Sequence, residues 1–518
     1  MEYRVDAGGE TDREDRGVAA IQTTIGDGSW TVERASTGIV GLDDVLGGGF
    51  PRNRLFLVQG DPGVGKTTLA MQFLLEGARQ GERVLYVTLS ESLEEIRDVV
   101  HSHAWSLDGV DIYEFSQEDQ LSAQSHSTVF HPAEVELGET MRLLLEVVER
   151  VQPARVVFDS LSELRLLAHD SLRYRREILS LKHYFAGRKC TVLLLDDRTT
   201  DAGDRQLQSL CHGVVALDNT VPEYGVERYR IRITKMRGVR FRGGFHDYII
   251  RTGGLDVYPR LVAAEHKTEF INKPIASGIQ ALDDLLGGGL DRGASIALMG
   301  PSGCGKSTIA TRYIVAAAMR GENSAMFLFE ETPATLFQRS RLLHMDLKPH
   351  VDNGCVEIQS IDPAELAPNE FIQQVRDSVE KGGAKIVLID SLNGYLNAMP
   401  GERYLILQLH ELLTYLSQQG VTTLLITAQA GMMAAAPVPG LDISYIADTA
   451  LLFRYFEFGG AIKKAISVFK RRSGSHEQTI RELTLGGDAG ISISEPLTQF
   501  RGLLTGVPTF EGPMEASA

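Results

Sequence analysis

Short apolar runs rich in β-branched residues alternate along the chain with stretches whose apolar positions recur at helical spacing. After the first run, residues 66–79 place Leu69, Phe73 and Leu74 on one face of a helix. Buried runs separated by helices predict a mostly parallel sheet with helices on both faces. The predicted strands are Leu55–Gln59, Val84–Val87, Val156–Phe158, Val192–Leu195, Ser295–Met299, Ala325–Phe329, Ile386–Ile389 and Thr423–Ile426.

This pattern occurs twice. The segment S-T-G-I-V-G-L-D-D-V-L-G-G-G at residues 36–49 returns as A-S-G-I-Q-A-L-D-D-L-L-G-G-G at residues 276–289, an offset of 240 residues. So long a period indicates a duplicated domain rather than a solenoid repeat. We therefore predict a flexible acidic tail at residues 1–25, a first domain at 26–260, a second domain at 261–505 and a short tail at 506–518.

The composition is that of a globular protein with a net negative charge. Hydrophobic residues make up 43% of the 518 residues, and the net charge is −16. An acidic chain is repelled by phosphate backbones, so nucleic acid is not expected as a partner, although a local basic patch would still permit binding. Four scattered cysteines lack disulfide-framework or zinc spacing and indicate a cytoplasmic protein. No apolar run is long enough to predict a membrane helix.

Two segments, residues 60–67 and 300–307, fit the phosphate-loop pattern GxxxxGK[ST]. Each follows a predicted strand and opens a helix, which is the context the motif requires. The glycines let backbone N–H groups face phosphate oxygens, the lysine neutralises the β- and γ-phosphates, and the last hydroxyl is offered to magnesium. We predict two ATP sites with Mg²⁺ as cofactor. The nucleotide-binding residues are Gly60, Gly63, Gly65, Lys66, Thr67, Thr68, Gly300, Gly303, Gly305, Lys306, Ser307 and Thr308.

Acidic residues complete each site. Asp159 and Asp390 end apolar strands, and the carboxyl end of a strand faces the ligand crevice of an open α/β sheet. A helix-capping aspartate is the alternative. Glu91 in the first repeat, and Glu330 and Glu331 in the second, follow the second strand and are candidates to orient or deprotonate the nucleophile; a solvated loop glutamate is the alternative. The predicted magnesium ligands are Thr67, Asp159, Ser307 and Asp390.

A pair of basic residues stands late in each repeat. Lys235 and Arg237 form the first pair, and Lys470 and Arg472 form the second. Two cations at i and i+2 on a strand point to the same face. Such a pair could reach a γ-phosphate, including one in a neighbouring subunit, as an arginine finger does. A solvated basic strand edge is the alternative.

From about residue 36 to residue 510, the chain resembles the KaiC family of double-domain ATPases. The resemblance rests on the opening segment, both phosphate loops, E-E-T-P at residues 330–333 and K-M-R-G at residues 235–238, all in order. It implies two tandem RecA-like P-loop domains that form an ATP-dependent, two-tiered homohexamer with ATP between subunits. It also implies ATP hydrolysis in the first ring, serine/threonine autophosphorylation in the second, and basic pairs that reach the neighbour's ATP.

Three positions depart from the family pattern, and they are Ser90, Tyr445 and Ala447. Clock members carry I-S-T-I-T-D-T where residues 443–449 read I-S-Y-I-A-D-T. Ser444 matches the serine acceptor, with an ordinary loop serine as the alternative. Tyr445 replaces the threonine, and its hydroxyl stands too far out to be equivalent. One glutamate of the usual N-terminal pair is Ser90, so we expect Glu91 alone to position water and hydrolysis to be weaker.

The C-terminal segment bears on the expected partners. Residues 500–508 resemble the loop that lines the family's inner pore, and ten residues follow them. We therefore expect no counterpart of the longer tail that recruits KaiA, and KaiA is not an expected partner. A KaiB-like protein stays a candidate partner. We favour an ATP-hydrolysing, KaiC-like autokinase that acts as a timer or signalling switch. A nucleotide-gated ATPase scaffold without kinase activity and a RecA-like nucleic-acid motor are the alternatives.

Overall fold

The computed structural model describes residues 32–115, 132–168, 170–198, 207–222, 225–397, 404–428, 446–487, 489–503 and 509–510. Within these ranges each repeat is built around one nine-stranded, mostly parallel sheet. Helices cover both faces of each sheet. The predicted fold class, two tandem RecA-like α/β domains, is therefore confirmed. The predicted N-terminal tail and most of the predicted C-terminal tail lie outside the described residues.

The first repeat forms its sheet from nine strands, with two further short strands beside it. In the described part of this repeat the strands are β1 (Arg34–Ala35), β2 (Phe50–Pro51), β3 (Leu55–Gly60), β4 (Val84–Thr88), β5 (Val110–Glu114), β6 (Arg155–Asp159), β7 (Thr191–Asp197), β8 (Gly213–Thr220), β9 (Arg228–Met236), β10 (His246–Arg251) and β11 (Gly254–Tyr258). Their order in the sheet is β11-β10-β9-β8-β3-β7-β6-β4-β5, and β1 pairs with β2. The helices span Val40–Leu46, Lys66–Arg79, Leu93–Ser102, Pro132–Val151, Leu161–Ala168 and Ser171–Phe185.

The second repeat has the same plan. Its described strands are β12 (Ser295–Gly300), β13 (Ser324–Leu328), β14 (Val356–Ser360), β15 (Ile386–Asp390), β16 (Thr422–Ala428), β17 (Thr449–Phe458), β18 (Ala461–Arg471), β19 (Ile480–Leu485) and β20 (Ile491–Pro496), followed by the pair β21 (Phe500–Arg501) and β22 (Thr509–Phe510). The sheet order is β14-β13-β15-β16-β12-β17-β18-β19-β20. The helices span Gln280–Leu285, Lys306–Met319, Pro333–Leu342, Lys348–Asp352, Pro368–Glu380, Leu392–Asn397 and Leu405–Gln418, with a short 3₁₀ turn at Ala263–Glu265.

The phosphate-loop strand lies near the centre of each sheet. Every residue of β3 and of β12 is buried, which explains their unbroken apolar character. The helix that follows the first loop begins after Gly65, whose φ of 85° lies in the left-handed region that favours glycine. That helix buries Leu69, Phe73 and Leu74 against the sheet, as the spacing predicted. All eight predicted strands are present, with ends within two residues of the predicted ones.

The two domains are joined by contacts as well as by the chain. Asp247 on β10 accepts a hydrogen bond from the backbone N–H of Asn369, 2.9 Å away, at the start of the helix Pro368–Glu380. Arg228 donates to the backbone oxygens of Pro363 and Ala364. Asp247 therefore caps a helix of the other domain, and that helix's own N-cap residue, Ala367, provides no side-chain cap. Among the described helices, none is both long and apolar enough to cross a bilayer.

Candidate active sites

The strand order brings four strand ends together in each domain. In the first, β3, β7, β6 and β4 are parallel neighbours, so their carboxyl ends lie side by side. Gly60, which opens the phosphate loop, pairs with Asp197 at the end of β7, and Thr88 pairs with Asp159. In the second domain, Gly300 pairs with Ala428. Each sheet thus presents its phosphate loop and its strand-end aspartate at one edge, where open α/β sheets bind ligands.

The lysine of the first phosphate loop is buried and fully engaged. Its Nζ atom donates to the carbonyl oxygens of Gly60 at 3.0 Å and Asp61 at 2.9 Å. It also forms an ion pair with Asp197 at 2.8 Å, and Asp197 is not among the predicted site residues. The lysine thus lies where the phosphates of a nucleotide would meet it.

The predicted magnesium ligands of the first site are in contact. The hydroxyl of Thr67 donates to Oδ2 of Asp159 at 2.7 Å, and the phenol of the fully buried Tyr86 donates to the same oxygen at 2.6 Å. Burial raises the pKa of Asp159, and these two hydrogen bonds oppose that rise. Burial and the nearby Asp159 raise the pKa of Tyr86, which is therefore a neutral donor. Tyr86 was not predicted as a site residue.

Glu91 lies beside this carboxylate. Its backbone N–H is held by the Thr88 hydroxyl at 3.0 Å, whereas its Oε2 atom is buried and finds no hydrogen-bond partner among the described residues. Burial raises the pKa of Glu91, and the charges of Asp159 and Glu95 add to that rise. Glu91 is therefore positioned to accept a hydrogen bond from a group that enters the site.

The second site repeats the core of this arrangement. Lys306 donates to the carbonyl oxygens of Gly300 at 2.9 Å and Pro301 at 2.6 Å. Burial raises the pKa of Asp390, and a hydrogen bond from Ser307 opposes that rise. Each site therefore joins one hydroxyl to one buried carboxylate. Such hard oxygen donors suit Mg²⁺, which is usually held by one or two carboxylates together with substrate phosphates and water.

The two glutamates of the second site have different partners. The hydroxyl of Ser391 donates to Oε1 of Glu330 at 2.7 Å. Glu331 is paired with Arg339 at 2.7 Å, and Arg339 also donates to the hydroxyl of Thr308 at 3.2 Å. Burial raises the pKa of Glu331, against the effect of Arg339. In the first repeat the position of Arg339 is occupied by Val99, so this cation belongs to the second site only.

A cleft of about 510 Å³ opens over the second phosphate loop. Its volume falls in the range typical of small-molecule sites. One part of its wall is polar and the other is apolar, as a nucleotide with phosphates and a base requires. The polar part includes Lys306, Ser307, Glu330, Arg339 and Asp390, and the apolar part includes Leu342, Leu343, Ile426 and Leu485.

The basic pairs lie at the amino ends of the parallel strands, opposite the phosphate loops. The backbone N–H of Arg237 bonds to His212, and His212 bonds to Leu55, the first residue of β3. Leu55 is five residues from Gly60, which is about 16 Å along a strand. The second pair is placed in the same way, because Arg472 bonds to Asp448, which bonds to Ser295 at the start of β12.

These cations contact backbone and carboxylate oxygens at the amino ends of the strands. Lys235 donates to the carbonyl oxygens of Gln208, Ser209 and Cys211, and Arg237 donates to that of Ser209. Burial and the neighbouring Arg237 lower the pKa of Lys235. Lys470 donates to the carbonyl oxygen of Ala447, and Arg472 pairs with Asp448 at 3.2 Å.

The structure thus brings most predicted site residues together and separates the rest. In each domain the phosphate loop, the aspartate and the glutamates lie at the carboxyl ends of the parallel strands. The basic pairs lie at the amino ends. Ser444 and Tyr445 lie outside the described residues. Of the residues missed, Asp197 carried a signal, since it is the second of two aspartates that follow an apolar run. Tyr86 and Arg339 carried none, because a strand tyrosine and a helix arginine are ordinary.

Comparison with known proteins gives one family. A sequence model described as "ATPase: KaiC" matches residues 35–262 and again residues 275–498. The chain is 26% identical to a protein named "Circadian clock protein KaiC3" from Synechocystis sp., over 93% of this chain and 96% of that protein. It is 27% identical to "Circadian clock oscillator protein KaiC" from Picosynechococcus sp., over 92% of this chain and 93% of the relative. With the KaiC of Synechococcus elongatus the identity is 26%, over 92% of each chain.

Proposed function

The chain belongs to the KaiC family of ATPases, and from this premise we propose that it is an ATP-hydrolysing serine/threonine autokinase. In this proposal the chain assembles as an ATP-dependent homohexamer with nucleotide between subunits, and it acts as a timer or signalling switch. The first domain hydrolyses ATP, and the second transfers phosphate to Ser444. Similarity to proteins named as circadian clock proteins supports the proposed role as a timer or signalling switch.

The first site contains the groups that hydrolysis needs. Lys66 would neutralise the β- and γ-phosphates, and Thr67 with Asp159 would hold Mg²⁺. When bound, Mg²⁺ neutralises charge on the phosphate oxygens. Glu91, whose Oε2 has no partner among the described residues, would orient the attacking water. A single glutamate here, with Ser90 exposed beside it, supports slow hydrolysis.

The second site would use the same groups for transfer to a protein hydroxyl. Glu330 would accept the proton of the Ser444 hydroxyl as its oxygen attacks the γ-phosphorus and the bond to ADP breaks. Lys306 would hold the phosphates, with Ser307 and Asp390 as the magnesium ligands. The cleft above the loop has room for a nucleotide.

The position of the basic pairs carries the proposal that sites are shared between subunits. Arg237 and Arg472 are anchored about 16 Å from the phosphate loops of their own domains, which is beyond the reach of an arginine side chain. Each pair would therefore complete the site of a neighbouring subunit. Ala447, three residues after Ser444, lies at the same end of the strands, where its carbonyl oxygen accepts a hydrogen bond from Lys470. This position of Ala447, away from the phosphate loop of its own domain, supports phosphate transfer to Ser444 from the ATP of a neighbouring subunit.

A complementation experiment tests the shared site. Lys306→Ala removes the phosphate-binding lysine, and Arg472→Ala removes the trans cation, so each variant alone should fail to phosphorylate itself. Mixed and reassembled with ATP and Mg²⁺, the two should regain part of the wild-type phosphorylation, because some interfaces combine an intact loop with an intact cation. Intact mass and peptide mapping measure the product. No recovery in mixed rings would contradict sharing, and absence of phosphate on wild-type Ser444 would leave an ATPase without the proposed kinase activity.

A further inference from the structure

The two nucleotide sites differ at one strand end beside the phosphate lysine. In both sheets one strand lies between the phosphate-loop strand and the strand that ends in the magnesium aspartate. In the first domain that strand is β7, and its last residue is Asp197, paired with Gly60. In the second it is β16, and its last residue is Ala428, paired with Gly300. The carboxylate is therefore a feature of the first site only.

This position faces the place of the γ-phosphate. A γ-phosphate held by Lys66 and by magnesium on Asp159 would lie near the end of β7, because β7 separates β3 from β6 in the sheet. Asp197 already occupies part of that space, because its Oδ1 atom is 2.8 Å from Lys66 Nζ. Its other oxygen accepts a hydrogen bond from Ser162 at 3.1 Å, which fixes the carboxylate toward the lysine.

We propose that Asp197 is a specificity-determining residue that makes the first site discriminate against ATP relative to ADP. The inference rests on the proposed function, in which this site binds and hydrolyses ATP. The carboxylate competes with the nucleotide for Lys66, and it repels the γ-phosphate, which adds negative charge close to it. ADP ends at the β-phosphate and meets less of this repulsion. Charge at one strand end thus sets the nucleotide preference of the first domain.

The second domain provides the natural comparison. Ala428 lines the nucleotide cleft without any charge, and Lys306 is held there by the carbonyl oxygens of its own loop. Asn393 brackets the backbone of Ala428 with two hydrogen bonds, as Ser162 supports Asp197 in the first domain. In both domains a polar residue of the following helix thus holds the backbone at this strand end, and the carboxylate is present in the first domain only. A carboxylate placed at residue 428 should reproduce the preference of the first site.

The test measures ATP and ADP affinities separately at the first site. Competition with a fluorescent nucleotide in full-length Lys306→Ala protein reports the first site without the second. Asp197→Asn keeps the side-chain shape and removes the charge, so ATP affinity should rise about 5- to 20-fold and ADP affinity less than about 3-fold. Glu149→Gln is the matched control, because it neutralises an exposed carboxylate paired with Arg188 at 3.2 Å, away from both sites. It should change neither affinity.

The reciprocal variant gives a second, independent readout. Ala428→Asp in Lys66→Ala protein should lower ATP affinity at the second site by a similar factor and spare ADP. An unchanged ratio of ATP to ADP affinity in both variants would overturn the inference. So would weaker ATP binding with slower hydrolysis in Asp197→Asn, since the carboxylate would then hold the attacking water. Failure of the Lys306→Ala parent to bind ATP would instead overturn the proposed function of the first site.

Discussion

Arg155 is a fully buried cation whose removal should destabilise the first domain without touching the nucleotide site. Its guanidinium donates to the carboxylate of Glu82 at 2.5 Å and to the carbonyl oxygens of Ser36 at 2.6 Å and Phe73 at 2.8 Å. It also lies 4.7 Å from the centre of the Phe73 ring. It therefore ties the opening segment of the domain to the helix that follows the phosphate loop.

Arg155→Met keeps much of the side-chain volume and removes every one of these hydrogen bonds. Breaking a buried ion pair by deleting one partner costs about 3–5 kcal/mol. Glu82 keeps a second partner, Arg52 at 2.5 Å, so the lower figure of about 3 kcal/mol applies. At about 1.4 kcal/mol per tenfold, the equilibrium for opening the first domain should rise about 100-fold.

Hydrogen exchange followed by mass spectrometry measures this change domain by domain in the intact protein. Peptides from β3 and β6 should lose about 100-fold in protection, and peptides from β12 and β15 much less. The second domain supplies the control, because the buried Ile386 stands at the position of Arg155 and the cation next to it, Lys385, is exposed. Lys385→Met should change protection about twofold or less, as surface substitutions do. A loss below about fivefold for Arg155→Met, or an equal loss in both domains, would refute the argument.

Two further predictions concern titration at the first site. Because burial and the charge of Asp159 raise the pKa of Glu91 above its ordinary value of 4.5, Glu91 takes up a proton at a higher pH than an exposed glutamate would. ATP hydrolysis by Lys306→Ala protein should therefore fall on acidification before pH 4.5 is reached. The residual rate of the same protein with Glu91→Gln added should lack that decline. The same pH profile with and without Glu91→Gln would contradict the role of Glu91. Tyr86→Phe removes one hydrogen bond to the charged Asp159 and so raises the pKa of that carboxyl, which should shift the loss of Mg²⁺-dependent hydrolysis to higher pH. Met326→Phe, at the matching position of the second domain, should leave this profile unchanged, and an unshifted profile in Tyr86→Phe would count against its contact with Asp159.

Much of the architecture follows from local sequence. The phosphate loops were predictable because their chemistry is contained in eight consecutive residues, with the strand before and the helix after. Asp159 and Asp390 were predictable because the end of an apolar run marks the ligand edge of a parallel sheet. The offset of 240 residues between Leu42 and Leu282 gave the number of domains, since a duplicated pattern implies a duplicated fold.

Other features depend on strand order and register, which no local pattern specifies. Asp197 meets Lys66 only because β7 lies beside β3, although the two residues are far apart in sequence. The distance between Arg237 and its own phosphate loop follows from the antiparallel return of β9 along β8. Arg155 is harder still, because a charged residue at the start of a strand ordinarily faces water. Its burial requires four acceptors, one in the opening segment and three in the phosphate-loop helix and the turn after it, which the sheet brings to the start of β6.

The cap that Asp247 places on the helix Pro368–Glu380 bears on how independent the two copies are. A helix start without a side-chain cap is weaker by about 1 kcal/mol, and here the missing acceptor comes from the other domain. In a fragment that begins after residue 260, the start of this helix would therefore be less stable by about 1 kcal/mol. The two domains are similar in fold, but a carboxylate of the first domain stabilises a helix of the second. The two domains are copies of one unit, yet the free energy of unfolding of the second depends in part on the first.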